Sequence, residues 1–183
     1  MAAKSFRVSF TLDESDIAYF RNIIRTAKKN ASVDDRSKIV RGARKLIDEV
    51  RAAERTPSFV LDAISALEDL IEMIDDEDWA MTDSEQQRVL AALGYFAEQQ
   101  DVVPDHVPAL GFLDDAIMIR LVEDDFQPEL WGYRRFRKFR EGAEQRPWTR
   151  VARERLPGRL KEKRAELRKK IADRRKKTGA RAW

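Results

Sequence analysis

The residues best suited to chemistry cluster between Asp101 and Asp115: four carboxylates, Asp101, Asp105, Asp114 and Asp115, and His106, the single histidine of the chain. That many carboxylate oxygens suit a hard divalent cation, or the basic group of a partner. The spacing meets no calcium-loop pattern, and in a chain without cysteine nothing resembles a zinc signature. A structural reading stands beside the metal one. Pro104 and Pro108 fix their own φ and remove two backbone donors, which pushes Val103 and Val107 toward extended backbone. Gly111 permits backbone angles that other residues avoid. The segment is then a stiff connection between two helices. Asp105 accepts hydrogen bonds from turn amides, and Asp114 and Asp115 sit at the positive end of the next helix. A lone histidine is more often a capping or packing residue than a base, so no catalytic role is assigned to His106.

No nucleophile–base pair, phosphate loop or cofactor fingerprint occurs elsewhere. The expectation is a non-enzymatic protein with no cofactor. The alternative of a metal-dependent enzyme rests on Asp101, Asp105, Asp114 and Asp115 as ligands.

The pattern Asp101-x-x-Pro104-Asp105-x-x-Pro108-x-x-Gly111-x-x-Asp114-Asp115 resembles the signature of the YkvA-like family, a bacterial domain of unknown function. Leu90 to Phe96 before it and Ala116 to Ile119 after it fit the same pattern, so the resemblance covers roughly Val89 to Val122. One departure is the polar lead-in Glu98-Gln99-Gln100, where the family carries a more apolar segment. Many members resemble membrane-attached proteins, and the polar lead-in argues against that here. The resemblance implies a domain and not a reaction.

A second chemical feature is charge. Residues 1–57 carry a net +5, residues 58–133 a net −17 and residues 134–183 a net +15, within a total of +3. The basic end holds Arg164, Arg168, Lys169, Lys170, Arg174, Arg175, Lys176 and Lys177 around a thin apolar stripe of Leu160, Leu167 and Ile171. Such a helix has little apolar surface to offset its ordering. Three roles are open to it: docking on its own acidic body or a neighbour's, binding nucleic-acid phosphates, and lying on an anionic membrane, the last the weakest. The preferred expectation is a detachable arm on an acidic protein or on nucleic acid. Upstream, Trp131, Tyr133, Phe136 and Phe139 interleave with Arg134, Arg135, Arg137, Lys138 and Arg140. This segment is either a stacking and phosphate-binding surface or, the preferred reading, an amphipathic core helix with arginine stems over aromatics.

The elements that must position these groups are mostly helices. Phe6, Val8, Phe10 and Leu12 alternate with polar residues and predict one short strand. Thr11-x-x-Glu14 has capping-box spacing and predicts a helix to about Lys29, and a second runs from Ser32 to about Ala53. A strand followed by two helices is similar to the ribbon-helix-helix DNA-binding fold. That resemblance implies a homodimer through paired strands, with Arg7, Ser9 and Thr11 as base readers and residues 6–50 as the unit. The span between strand and second helix is long for it. Thr56-Pro57 predicts an N-cap and first turn for a helix to Asp76, with Phe59, Ile64, Leu67, Leu70, Ile71 and Ile74 inward. The acidic run that ends this helix, Asp75 to Asp78, is expected on a solvated face. Thr82-x-x-Glu85 predicts a helix to about Gln99. After the central stretch come a helix to Phe126 and another opened by Pro128, with Pro147 and Pro157 marking linkers.

The expected architecture is mainly α: a bundle of about six or seven helices with one N-terminal strand and a basic C-terminal helix. Its expected divisions are residues 1–57, a helical core at 58–146 and a basic extension at 147–183. The absence of cysteine, of a signal peptide and of any run of about twenty apolar residues fits a cytoplasmic protein.

Overall fold

The computed structural model describes residues 11–30, 36–53, 56–97, 111–145 and 149–178. These form α1 (Glu14–Asn30), α2 (Arg36–Ala52), α3 (Ser58–Asp75), α4 (Asp83–Leu93) with a 3-10 helix at Gly94–Ala97, α5 (Leu113–Glu144) and α6 (Arg150–Thr178). Among the described residues there is no strand. Residues 6–10 of the expected strand lie outside them, and Thr11 and Leu12 are irregular.

The apolar stripes set the layers. α3 is the central element: Ala63, Ala66, Leu67, Leu70 and Met73 have no exposed surface. It packs along α5, and α2 lies against its other side. The α2 positions Ile39, Ala43, Leu46, Ile47 and Val50 are buried as their spacing predicts. Phe59 departs from expectation: it is 43% exposed, because Val60, four residues before Ile64, takes the inward position. Arg36 and Arg44 on α2 reach Asp75 of α3 at 2.8 and 3.3 Å, so that acidic end is partly spent on the neighbouring helix.

Local capping follows side-chain chemistry. The Thr82–Glu85 capping box forms as expected, with the Glu85 amide donating to Thr82 Oγ1 at 3.3 Å and the Thr82 amide to Glu85 Oε2 at 2.8 Å. For α1 the box moves two residues along. Asp13 Oδ1 accepts from the amides of Ser15 and Asp16 at 2.7 and 3.0 Å, and Asp16 Oδ2 accepts from the Asp13 amide. A carboxylate serving two amides outcompetes the Thr11 hydroxyl. At α3 the cap is Pro57, which makes no side-chain bond, and the Thr56 hydroxyl instead donates to the Val50 carbonyl at 2.9 Å, closing α2.

Two helix stops expected at proline do not occur. α5 runs for 32 residues through Pro128, and α6 for 29 through Pro157. An interior proline costs a helix about 3 kcal/mol. In α5 that cost is met by burial on both sides of it, with Phe126 before and Leu130, Tyr133 and Phe136 after. In α6 the stripe beyond Pro157 is buried on the body.

Candidate polyanion-binding groove

The acidic motif is only partly within view. Asp101, Pro104, Asp105, His106 and Pro108 lie outside the described residues. Gly111, Asp114 and Asp115 are buried, the aspartates in the first turn of α5, where the helix dipole favours their charge. Among the described residues no group of three or more His, Cys, Asp or Glu side chains is arranged to hold a metal ion.

The basic end is not a free arm. α6 folds back antiparallel along α5, and Leu160, Leu167 and Ile171 are 5, 1 and 9% exposed. The approach is close because α5 carries Gly132 at the crossing. A Cβ built there would sit 2.5 Å from Ile171 Cδ1 and 2.9 Å from Cγ1. Polar contacts finish the docking. Arg164 donates to the Asp78 carbonyl at 2.8 Å and Arg168 to the Ala80 carbonyl at 2.8 Å, while Arg168 pairs with Glu85 at 3.2 Å and Arg175 with Glu129. The turn supplying those carbonyls is set by Asp76, whose carboxylate accepts from the Trp79 amide at 3.0 Å and whose carbonyl accepts from the Ala80 amide at 2.9 Å. Ala80 holds φ 46°, in the left-handed region.

The eight cations expected to grip a partner therefore divide. Arg164, Arg168 and Arg175 fasten α6 to its own body. Lys170 and Arg174 line a groove between α5 and α6, and Lys169, Lys176 and Lys177 are exposed.

The groove has a volume of ≈ 810 Å³. Its α5 wall carries Trp131, Arg134, Arg135, Lys138 and Phe139; its α6 wall carries Lys163, Lys170 and Arg174 above Leu167. The interleaved segment of α5 thus splits by face. Tyr133 and Phe136 are core, as preferred from sequence, while Arg137 and Arg140 turn to α3 to pair with Asp69, Glu72 and Asp76. Trp131 and Phe139 instead turn to the groove. The Arg174 and Arg135 guanidinium carbons lie 3.9 and 4.8 Å from the Trp131 ring centroid, and Arg159 and Lys163 each lie 5.6 Å from that of Phe139.

Charge in the groove is partly compensated. Glu166 accepts from Lys163 at 2.8 Å and from Lys170, and these two ammonium groups hold its carboxyl down at about 2. Arg134 pairs with Asp69 at 2.6 Å. Arg135 and Lys138 are exposed and have no ion pair among the described residues. Sequence reasoning had Arg134, Arg135, Lys138 and Trp131 in view, yet the α6 wall that makes them one side of a groove is a tertiary fact with no local signal.

Residues 88–121, from Arg88 in α4 to Leu121 in α5, match the model of a family described as Protein of unknown function (DUF1232). The groove residues all lie beyond the matched span. No curated protein and no solved structure matches the chain.

Proposed function

We propose that the chain is a non-enzymatic binding module that holds single-stranded nucleic acid in the α5–α6 groove. One observation carries this reading: six cationic side chains and two aromatic rings line a single preformed trough of ≈ 810 Å³. Cations that follow a phosphate backbone, with rings on which bases stack, are the two parts of sequence-tolerant single-strand recognition. The cationic wall of α6 runs from Lys163 to Arg174, about 17 Å of helix, so the trough takes several nucleotides and no recognition of a defined sequence is expected. The docked position of α6 supports the same reading, because a groove held open needs no folding of a free arm at the moment of binding.

The test is fluorescence anisotropy with a labelled uridine strand of about 15 nucleotides, competed by duplex and by poly-glutamate. Binding should follow log affinity against log salt with a slope of about −2 to −4, as expected for three to six phosphate contacts. Single strand should compete better than duplex or poly-glutamate. Equal competition by poly-glutamate would make the partner an acidic protein. Affinity indifferent to Arg135→Glu combined with Lys138→Glu would take the groove out of the argument.

A further inference from the structure

A second concavity of ≈ 210 Å³ lies on a different face of α6, between it, α4 and the middle of α5, and shares no lining residue with the groove. Among its described lining residues cations outnumber carboxylates. Three guanidinium groups, Arg88, Arg168 and Arg175, meet two carboxylates, Glu85 and Glu129. Arg175 pairs closely with Glu129, so Arg88 reaches the same oxygen only at 3.9 Å, and Arg168 takes Glu85 at 3.2 Å. The Nε atoms of Arg88 and Arg168, and Oε2 of Glu129, are shut off from solvent with no hydrogen-bond partner among the described residues. Burial lowers the guanidinium pKa of Arg88, and burial together with Arg88 lowers that of Arg175. Beside this cluster the walls are apolar: Met73 and Val89 have no exposed surface, and Trp79 and Phe126 are 3 and 2% exposed.

We propose that this cleft binds a small organic monocarboxylate with an apolar body, its carboxylate among Arg88, Arg168 and Arg175 and its body against Met73, Trp79 and Phe126. A carboxylate presents acceptors to forked guanidinium donors, and the Nε atoms of Arg88 and Arg168 are the donors that lack one among the described residues. Inorganic anions lack the body that the walls call for. The volume exceeds the roughly 150 Å³ in which an engineered apolar cavity holds benzene, so a branched or aromatic acid of similar size fits. Two of the three guanidinium groups belong to α6. An occupant therefore ties α6 to α4, and binding should appear as added stability of the whole chain.

The experiment is thermal unfolding and ligand-observed NMR of the full chain with 4-methylpentanoate and 3-phenylpropionate. The matched controls are acetate, which has no body, and 3-methylbutylamine, which has the body with the opposite charge. Both acids should raise the midpoint of unfolding with concentration and show saturation transfer, and both controls should not. Arg88→Gln should weaken binding about tenfold or more, the loss expected for one charged hydrogen bond. Ala172→Trp, which fills the cleft from α6 without touching a charge, should abolish binding while helicity by circular dichroism is kept. Equal stabilisation by the amine, binding unchanged in Ala172→Trp, or no effect from either acid would overturn the proposal.

Discussion

Gly132 lies directly beneath Ile171, so close that a Cβ on the glycine would fall 2.5 Å from the Ile171 δ-methyl. Gly132→Ala should therefore force Ile171 off its rotamer or lift α6, costing about 1–3 kcal/mol by urea unfolding, the usual penalty for overpacking. The same change should speed tryptic cleavage within α6. Gly142 and Gly158 serve as the control pair. Both are helical, and a Cβ at either meets nothing within 4 Å. Alanine there should raise stability by about 0.5–1 kcal/mol through helix propensity alone.

Asp76 makes the chain acid-sensitive. Its carboxylate accepts from Arg140 at 2.9 Å, from the Trp79 amide at 3.0 Å and from the Tyr133 hydroxyl at 3.1 Å. Burial works to raise its pKa, and the Arg140 and Trp79 hydrogen bonds outweigh it and hold the pKa below the ordinary 3.8. Because the folded value is depressed, the stabilisation is fully present above the unfolded value near 4 and is lost as pH falls through the folded one. Asp76→Asn should cost about 3 kcal/mol at pH 7, since it leaves Arg140 without its carboxylate. The gap between the variant and the parent should narrow below about pH 4 in urea titrations run across that range.

Trp131 separates stacking from simple charge attraction. Its ring faces the groove with Arg174 and Arg135 against it. Trp131→Ala should weaken single-strand binding by about 1–3 kcal/mol, the worth of one stacked base, with the salt slope unchanged. Arg135→Ala should do the opposite, lowering the slope by about 0.7 with a smaller loss at low salt. Anisotropy at four or five salt concentrations distinguishes the two. Equal slopes and equal losses would mean that the aromatic ring only props up the arginines.

What was legible in the chain was local. The Thr82–Glu85 box is written in two side chains three residues apart, and the inward face of α2 in its own periodicity. Pro128 misled because a local rule for ending helices was outweighed by the burial of Phe126, Leu130, Tyr133 and Phe136 on both sides of it. Phe59 misled because hydrophobicity alone does not say which of two adjacent apolar residues faces the core. The central acidic motif contributes Gly111, Asp114 and Asp115 to the described structure, and its metal reading gains no support from the carboxylates in view. The largest revision concerns α6. Docking on its own body is one of three roles its sequence leaves open, and nothing local selects it, because the three things that receive the stripe belong to other elements: the gap left by Gly132, the carbonyls of the Asp78–Ala80 turn, and Glu129.

That revision changes which variant tests the basic end. Deleting residues 158–183 would strip the cover from Gly132, Trp79 and Phe139. Losing burial of Leu160, Leu167 and Ile171 alone amounts to roughly 5 kcal/mol, comparable with the whole stability of a domain. Helical content should fall well beyond the residues removed. A single change at the contact is cleaner. Leu167 is 1% exposed and forms the floor between the two walls of the groove. Leu167→Ala should lower stability by about 2–4 kcal/mol and reduce single-strand affinity with every cation still present, because the α6 wall loses its seat. Lys169→Ala, exposed on the same helix, should change stability by less than about 0.5 kcal/mol. If Leu167→Ala unfolds earlier yet binds as tightly as the parent at temperatures where both are folded, the cations act as a tethered cloud and the docked geometry of α6 has no part in binding.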